Sequence, residues 1–411
     1  MWQNKTYICP FCFNKNNLYE VEFRCASDAR KCAREADQKY SDFWGLGQVK
    51  YMAKVIPVPS PTTPLEKLKA FIKIKVSREM VCPSCKGKTS KRICPTCHSE
   101  LPYTIGDYKD MIFAVIGSKD SGKSHYISVL ITKIMNEIGT AFDCNLQPLS
   151  DETINRYRQD FYQPVYRKKE IIKGTVSARA NRAVKMPLIY SLSFMGQNMF
   201  GKKQKMDVAT VAFFDTAGED MKAEDTMSTE NKYIYNSSGI ILLLDPLQMS
   251  EVRAQLPRGT PLPDQNTETV DIISRTATLI RRAHGIRQEE LIDIPIAVAF
   301  SKIDAIQPLL DPSSSLLHDS KHNGCFNIDD FDSMEGEMES LIREWSSNSI
   351  IAQVEHNFRY YGFFGLTALG CNPHNTLKIP KLRPHRVEDP FLWLLWKHRL
   401  ISGSDEYDYD D

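Results

Sequence analysis

The segment Gly117-Ser-Lys-Asp-Ser-Gly-Lys-Ser124 follows the apolar run Met111–Ile116 and precedes the helix-compatible stretch His125–Ile138. Its two glycines allow backbone turns that are closed to other residues, so that successive N–H groups can point inward at a polyphosphate. A helix that begins near Lys123 adds the positive end of its dipole. A strand, a glycine-rich loop that ends in Lys-Ser and a helix together predict a phosphate-binding loop.

Two side chains of this loop have predicted roles. Lys123 would reach the β- and γ-phosphate oxygens, and the Ser124 hydroxyl would ligate the Mg²⁺ ion that bridges them. The alternative is a Gly/Ser turn without a ligand. The residues predicted to contact a nucleotide here are Gly117, Ser118, Lys119, Asp120, Ser121, Gly122, Lys123, Ser124 and His125.

Composition limits the class of protein. A length of 411 residues suggests two or three domains, and 42% hydrophobic residues is ordinary for a globular protein with a sizeable core. The net charge of +1 points to neither nucleic acid nor membrane. No segment has the apolar length of a membrane span and the start has no signal-peptide profile, so we expect a cytoplasmic protein.

Eight of the 11 cysteines lie before residue 100, and six of these form Cys-Pro-X-Cys pairs. In a reducing compartment such pairs are metal sites or redox dithiols, and a redox role would need a thioredoxin-like context that is missing. Residues 1–108 are therefore predicted to be a zinc-binding module with two four-cysteine sites. The predicted ligands are Cys9, Cys12, Cys25, Cys32, Cys82, Cys85, Cys94 and Cys97.

The spacing suggests how these cysteines share the zinc ions. The pairs Cys82–Cys85 and Cys94–Cys97 have the spacing of two facing knuckles in a zinc ribbon, which would complete one tetrahedral site. The third knuckle, Cys9–Cys12, then needs partners, and Cys25 and Cys32 are the nearest candidates. Sharing of the eight thiols in crossed order is the alternative, which the sequence leaves open.

Three histidines are weaker candidates for metal ligands. His98 directly follows Cys97 and could replace a cysteine, although an ordinary surface histidine is the favoured interpretation. His318 and His322 flank an Asp-Ser-Lys segment and could also bind metal, but isolated loop histidines seldom do.

The rest of the module has few clear signals. Ser27–Tyr40 is charged and predicts a helix, whereas Pro57–Pro64 carries four prolines and predicts a stiff, extended connector. Phe71–Val76 alternates apolar and basic residues, as a half-exposed strand does. The basic stretch Lys73–Arg92 is interpreted as a solvated face, with a nucleic-acid contact as the alternative.

Residues 109–402 are predicted to form a second domain with an insertion at about 140–184. Within that insertion the polar segment Ser150–Glu170 predicts one helix that opens with a capping box. Leu188–Phe194 and Val208–Phe214 are apolar and are separated by a turn rich in Gly and Lys, so they predict a β-hairpin.

The second strand of that hairpin ends in Asp215-Thr-Ala-Gly218. At this place Asp215 would hold the Mg²⁺ ion, usually through water, and the Gly218 N–H would contact the terminal phosphate. Further strands at Ile240–Leu244 and Ile294–Phe300 alternate with a helix at Thr267–Ala283. This alternation predicts an α/β fold with a mostly parallel sheet and helices on both of its faces.

The segments 117–124, 215–218 and Ser301-Lys-Ile-Asp304, each at a strand end, resemble the first, third and fourth signature motifs of Ras-like P-loop GTPases. Leu366-Thr-Ala-Leu369 resembles the fifth, and the resemblance covers roughly residues 110 to 400. It implies a GTP- and GDP-binding domain that uses Mg²⁺ and acts as a nucleotide-dependent switch.

The resemblance also implies how the base is recognised. Asp304 would accept bidentate hydrogen bonds from guanine, Lys302 would lie along the base, and the backbone N–H of Ala368, beside Leu369, would bond the guanine oxygen. Ser301 departs from the usual Asn or Thr, which weakens one bond that braces the loop. The alternative role of Asp304 is that of a helix N-cap.

Catalysis is where the chain departs from the family. The residue that orients the attacking water, often Gln, is Glu219 here, whose charge next to the γ-phosphate predicts slow hydrolysis. Thr175 is the candidate for the lone threonine of the first switch. Arg158, Arg179 and Arg182 lie in the insertion and could supply an arginine finger.

The layout is similar to a bacterial class of double GTPases encoded beside defence systems, which implies antiviral defence as a function and protein partners at the zinc module and the switches. The alternatives are a P-loop ATPase, a nucleotide-bound scaffold without turnover, and nucleic-acid binding through the basic ribbon. At the other end, Asp389–Leu400 predicts a last amphipathic helix, and the acidic residues 403–411 predict a disordered tail.

Overall fold

The computed structural model describes residues 6–58, 78–118, 120–172, 186–197, 203–215, 232–260, 262–263, 269–346, 349–371 and 377–406. Within these residues the chain forms a cysteine-rich module of short strands followed by a seven-stranded sheet with helices. In this part of the chain no helix has the length and apolar character that crossing a bilayer requires.

The module consists of short antiparallel sheets and the helix α1 at Gln38–Phe43. Three sheets have two strands, β1-β2, β4-β5 and β7-β8, and one has three, β6-β3-β9. Strands of two to four residues bury little apolar surface, so the cysteines form much of the module's interior. The strands are β1 Thr6–Ile8, β2 Lys15–Asn17, β3 Glu22–Arg24, β4 Arg34–Asp37, β5 Lys50–Ala53, β6 Val55–Ile56, β7 Met80–Val81, β8 Lys88–Thr89 and β9 Arg92–Ile93.

The helix predicted over Ser27–Tyr40 is wrong for most of its length. The chain instead pairs β4 with β5, and the helix starts only at Gln38, where the Asp37 side chain caps it. Tertiary contacts of the neighbouring Cys25 and Cys32 outweigh the local helix propensity here. The predicted strand Phe71–Val76 and most of the predicted connector Pro57–Pro64 lie outside the described residues.

The large sheet has the order β11-β12-β13-β10-β14-β15-β16. Strands β13, β10, β14, β15 and β16 run parallel, whereas β11 and β12 add an antiparallel edge. The predicted hairpin is confirmed as the β12-β13 pair. The strands are β10 Lys109–Gly117, β11 Cys144–Pro148, β12 Leu188–Gln197, β13 Lys203–Asp215, β14 Gly239–Leu244, β15 Ile296–Phe300 and β16 Tyr361–Gly365.

The central strands are apolar because both faces of the sheet are covered there. Every residue of β14 and β15 is buried, and successive side chains of a strand point to opposite faces. The mixed α/β fold with a mostly parallel sheet is therefore confirmed.

Helices separate the parallel strands. The helix α2, Lys123–Lys133, follows β10 after the loop 118–122. The helix α3, Asp151–Arg156, lies in the insertion, where the Ser150 hydroxyl accepts the Thr153 N–H as predicted for its N-cap. The α-helices are α2 Lys123–Lys133, α3 Asp151–Arg156, α4 Lys232–Tyr235, α5 Ser250–Gln255, α6 Thr269–His284, α7 Ile303–Ile306, α8 Ile328–Ser346, α9 Ser349–Glu355 and α10 Asp389–Lys397. The helix α2 continues through the π-helical turns Ile134–Ile138 and the short helix Gly139–Ala141, α3 continues through Tyr157–Lys168, and 3₁₀ turns lie at Leu18–Glu20, Pro246–Gln248, Gln307–Leu309, Ser315–Leu317 and Ser404–Glu406.

The prediction of disorder over residues 403–411 is wrong for residues 403–406. Gly403 forms a bridge with Phe326, and the Ser404 hydroxyl accepts the Ile328 N–H at 3.0 Å. These backbone partners order Ser404–Glu406 as a short turn despite their polar composition. Residues 407–411 lie outside the described part of the chain.

Candidate functional site

The loop after β10 is shaped by two glycines. Gly117 has φ +156°, and a Cβ there would lie 2.3 Å from the Leu243 carbonyl oxygen of the neighbouring strand. Gly122 has φ +89° and directly precedes α2. The backbone thus turns sharply between the strand end and the helix N-terminus, as the sequence predicts.

The ammonium group of Lys123 lies over the same loop. Its Nζ donates to the carbonyl oxygens of Gly117 at 3.0 Å and of Ser118 at 2.7 Å, and the side chain is buried. The Ser121 hydroxyl also donates to the Ser118 carbonyl. Ser124 is half-buried in the first turn of α2. The loop therefore holds a positive charge next to a helix N-terminus, an arrangement that favours anions.

His125, which is predicted to contact the nucleotide, forms a hydrogen bond within the protein. Its Nε2 accepts the Ile172 N–H at 2.9 Å, which ties the end of the insertion to α2. Burial, and then the charge of Lys302, lowers the pKa of His125 to about 4, so the imidazole is neutral and able to accept this bond. Asp120 is exposed, and Lys119 lies outside the described residues.

The loop after β15 carries the predicted base-reading aspartate. Asp304 Oδ1 accepts a hydrogen bond from the Thr367 hydroxyl at 3.0 Å, and the Asp304 N–H donates to the same Thr367 oxygen. Burial raises the pKa of Asp304 above its usual value, and the bond from Thr367 opposes that rise. The carboxylate is thus fixed beside the loop that contains Ala368 and Leu369, which are half-buried.

Two residues of this region escaped sequence reasoning. Thr367 bridges the two loops, and its backbone pairs with His385 in both directions. Asp245, which is buried at the end of β14, binds the Lys302 ammonium and accepts the Leu247 N–H. An acidic residue at the end of a buried parallel strand was the available signal for Asp245.

The strand register brings these loops to one edge of the sheet. Gly117 pairs with Leu243 across β10 and β14, and Phe300 pairs with Leu244 and with Gly365. Since adjacent strands lie about 4.8 Å apart, the loops after β10 and β15 are about 10 Å apart across the sheet. In open α/β sheets ligands bind outside the carboxyl ends of the strands, at this kind of edge.

The predicted catalytic residues are described only in part. The backbone of Asp215 pairs with Val115 at the same edge, and Arg158 is exposed on the π-helical continuation of α3. Predicted residues outside the described part of the chain are Thr175, Arg179, Arg182, Gly218 and Glu219.

The eight module cysteines form two groups in crossed order. One joins Cys9 and Cys12 with Cys94 and Cys97, and the other joins Cys25 and Cys32 with Cys82 and Cys85; we call them cluster 1 and cluster 2. In each group the four sulfur atoms lie within 4.8 Å of one another. The predicted joint site of the last two knuckles is wrong, because Cys82–Cys85 and Cys94–Cys97 belong to different groups. Strand β3, which ends directly before Cys25, pairs with both β6 and β9, and β9 ends directly before Cys94.

The geometry of both clusters is compatible with zinc. Sulfur pairs are 3.8 Å apart in cluster 1, and 3.6 and 3.9 Å apart in cluster 2. A tetrahedral site with Zn–S bonds of about 2.3 Å has edges of about 3.8 Å. Ser27 Oγ lies 3.3 Å from Cys85 Sγ. This hydrogen bond, together with one from the Gly87 backbone, lowers the pKa of Cys85 to about 6, which favours the thiolate that metals bind.

A buried ionic network lies between the clusters, and it includes His98. Asp37 binds the Arg24 guanidinium at 2.6 Å and His98 Nδ1 at 2.7 Å, while His98 Nε2 lies 3.1 Å from Glu22. Both ring nitrogens therefore face carboxylates, and His98 is not one of the four ligands of cluster 1.

His322 belongs to a different buried group, with Asp330 and Asp389. The Arg386 guanidinium donates to both carboxylates, at 2.8 to 3.0 Å, and already supplies the positive charge that this group needs. His318 contributes only its carbonyl oxygen, which accepts from Arg386 Nε. The arrangement is an internal ion cluster that joins α8 to α10.

Comparison with curated proteins finds a distant similarity. No protein-family model matches the chain. A curated protein of Mycolicibacterium smegmatis, named putative ESX-1 scaffolding and assembly protein SaeC, is 27% identical over 322 residues, which cover 74% of this chain and 78% of that protein.

Proposed function

We propose that the chain is a guanine-nucleotide-binding switch protein of the P-loop GTPase type, which hydrolyses GTP slowly and carries two zinc ions in its cysteine module. The observation that carries this proposal is the position of three loops, at 117–124, 301–304 and 366–369, on one edge of the sheet. The first has the glycines, the lysine and the helix N-terminus of a phosphate site.

The second and third loops support guanine as the base. Guanine presents its N1–H and its exocyclic N2–H₂ side by side as donors, which a carboxylate accepts as a pair. Adenine has no such pair of donors. Asp304 is held by Thr367 beside the Ala368 backbone, where one base would meet both.

The metal and the chemistry follow from the family resemblance. Mg²⁺ would be held by Ser124 and Asp215, with Gly218 and Thr175 at the terminal phosphate. Glu219 in place of a neutral water-orienting residue is the reason to propose slow turnover. Zinc in clusters 1 and 2 would fix the module as a docking surface for partner proteins.

A scaffold that binds nucleotide without turnover is the second candidate. The similarity to a protein named for scaffolding and assembly favours it. The two candidates share the nucleotide site and differ in the fate of GTP. Single-turnover hydrolysis that stays at the solution rate, with and without partner proteins, would favour the scaffold.

The nucleotide assignment is tested by exchanging the base. Parent protein and the variant Asp304→Asn are titrated with fluorescent GDP, XDP and ADP. An amide offers one donor and one acceptor, which match the C2 carbonyl and the N1–H of xanthine. The affinity of the variant for GDP should therefore fall at least 100-fold, and its affinity for XDP should rise. Asp311→Asn, which changes an exposed loop aspartate seven residues further along the chain, should behave as the parent. Parent protein that binds ADP but not GDP would contradict the proposal.

A further inference from the structure

Cluster 1 lies where the cysteine module contacts the large sheet. Its first knuckle packs on the large sheet, where Ile8, the residue before Cys9, contacts the main hydrophobic core. The Thr210 hydroxyl of β13 donates to Thr104 at 2.8 Å, which is a polar contact between the module and the sheet.

Phe13, the residue after this knuckle, belongs to the core of the sheet domain. It is 3% exposed, and its ring centroid lies 5.3 Å from that of Phe214 and 5.6 Å from that of Tyr233. Its φ of +56° belongs to the knuckle turn, because Lys86 and His98, which follow the other two knuckles, have φ +61° and +52°. Phe13 differs from them in packing into the core of the sheet domain.

The backbone next to Phe13 is fixed to the helix α4. Asn236 Nδ2 donates to the Phe13 carbonyl at 2.7 Å, and the Lys232 ammonium donates to Asn14 Oδ1 at 3.1 Å. The knuckle holds its own shape through the Phe13 N–H to the Cys9 carbonyl and the Cys9 N–H to the Asn14 carbonyl. A metal on Cys9 and Cys12 would thus set the position of Phe13.

These contacts lie on both sides of the segment 216–231 in the chain. Phe214 directly precedes Asp215, the proposed magnesium ligand. Tyr233 lies in α4, where the described chain resumes, and Asn236 directly follows that helix. The knuckle therefore contacts the carboxyl end of β13, where Phe214 pairs with Ala114, three residues before Gly117 of the phosphate loop. Cluster 2 has no such contact within the described residues.

We propose that metal binding at cluster 1 is coupled to nucleotide binding at the 117–124 loop. The coupling runs through Phe13, which packs against Phe214 and Tyr233. This inference rests on the proposed function. Coupling of two sites is reciprocal, so nucleotide should strengthen zinc retention by the factor by which zinc strengthens nucleotide binding. Such factors are typically about five- to 150-fold.

The test measures the zinc affinity of the full chain by equilibrium competition with a chromogenic chelator, with and without GDP and Mg²⁺. GDP should raise the affinity for one of the two zinc ions by about fivefold or more and leave the other unchanged. Phe13→Ala should abolish this effect. Phe11→Ala is the matched control, because Phe11 lies on the same knuckle but faces Trp44 inside the module, and it should retain the effect.

A second variant guards against misfolding of Phe13→Ala. Asn236→Ala removes one hydrogen bond from the sheet side and leaves every cysteine in place, and it should reduce the effect of GDP. If the parent binds GDP and its zinc affinity does not change, the coupling is overturned and the nucleotide assignment stands. If Phe11→Ala loses the effect as fully as Phe13→Ala, the coupling does not run through the contact between Phe13 and Phe214. If the parent binds no guanine nucleotide, both proposals fail.

Discussion

The loops at the sheet edge and the two cysteine clusters are held in place by different means. The 117–124 loop is positioned by fully buried strands and by its own backbone, whereas the module has strands of two to four residues around thiols. Hydrophobic burial is sufficient to form the first region, but not the second. The sheet should therefore keep its shape without a ligand, and the module should depend on metal.

Removal of zinc is expected to have the largest effect. Structural zinc contributes an apparent free energy of about 10–16 kcal/mol in small modules, so strong chelation should unfold residues 1–108 and spare the sheet. Elemental analysis of protein purified without chelators should give about two zinc ions per chain, and limited proteolysis after chelation should cut the module first.

Cys325→Ser provides the control, since this half-buried cysteine belongs to neither cluster and should leave the zinc content unchanged. Less than one zinc ion per chain would refute the module as described.

The ionic network between the clusters should give the next largest effect. Asp37→Asn leaves Arg24 and His98 without their shared carboxylate, and breaking a buried ion pair costs about 3–5 kcal/mol. The free energy of unfolding from urea titration measures this loss. Asp42→Asn, an exposed change in the same helix, should stay within about 0.5 kcal/mol of the parent.

The same network predicts a dependence on pH. Burial favours the neutral acid, but hydrogen bonds from Arg24, the Tyr40 N–H and His98 outweigh it and hold the pKa of Asp37 below its usual value. The stability that this group contributes is present above about pH 4 and is lost as the pH falls through the lowered pKa. Asp37→Asn should reduce the loss of the free energy of unfolding at low pH. An unchanged loss at low pH would contradict the role of the network.

Gly117→Ala should damage the sheet edge without touching the module. A Cβ would meet the Leu243 carbonyl at 2.3 Å, so a strand must shift, at a cost of about 1–3 kcal/mol, and phosphate binding should be lost. Gly336→Ala is the matched control, because this helical glycine has open space around it and alanine should stabilise it by about 1 kcal/mol. Thermal unfolding with zinc analysis separates the two regions, and zinc content should remain that of the parent.

Sequence reasoning was more successful in the sheet than in the module, for a physical reason. Apolar runs such as Ile240–Leu244 form strands wherever both faces are covered, and glycines at a strand end mark the turn after it. The crossed order of the thiols depends on the pairing of β3 with β9, which joins residues about 70 positions apart and leaves no local signal.

The smallest effect is expected at Thr367. Thr367→Val keeps the shape but removes the hydroxyl that positions Asp304, and one hydrogen bond to a charged group is worth about 1.5–3 kcal/mol. GDP affinity should fall about tenfold, while zinc content and the melting of the module stay unchanged. Thr260→Val, at an exposed hydroxyl that bonds only the backbone nearby, should leave GDP affinity as in the parent. Equal affinities for both variants would show that Thr367 does not position the base.

The most direct measurement is a structure of the full chain with a non-hydrolysable GTP analogue and Mg²⁺. We predict that the triphosphate lies within the backbone amides of 117–124 and the guanine between Asp304 and Ala368. A nucleotide bound elsewhere, or an empty sheet edge at saturating analogue, would contradict it.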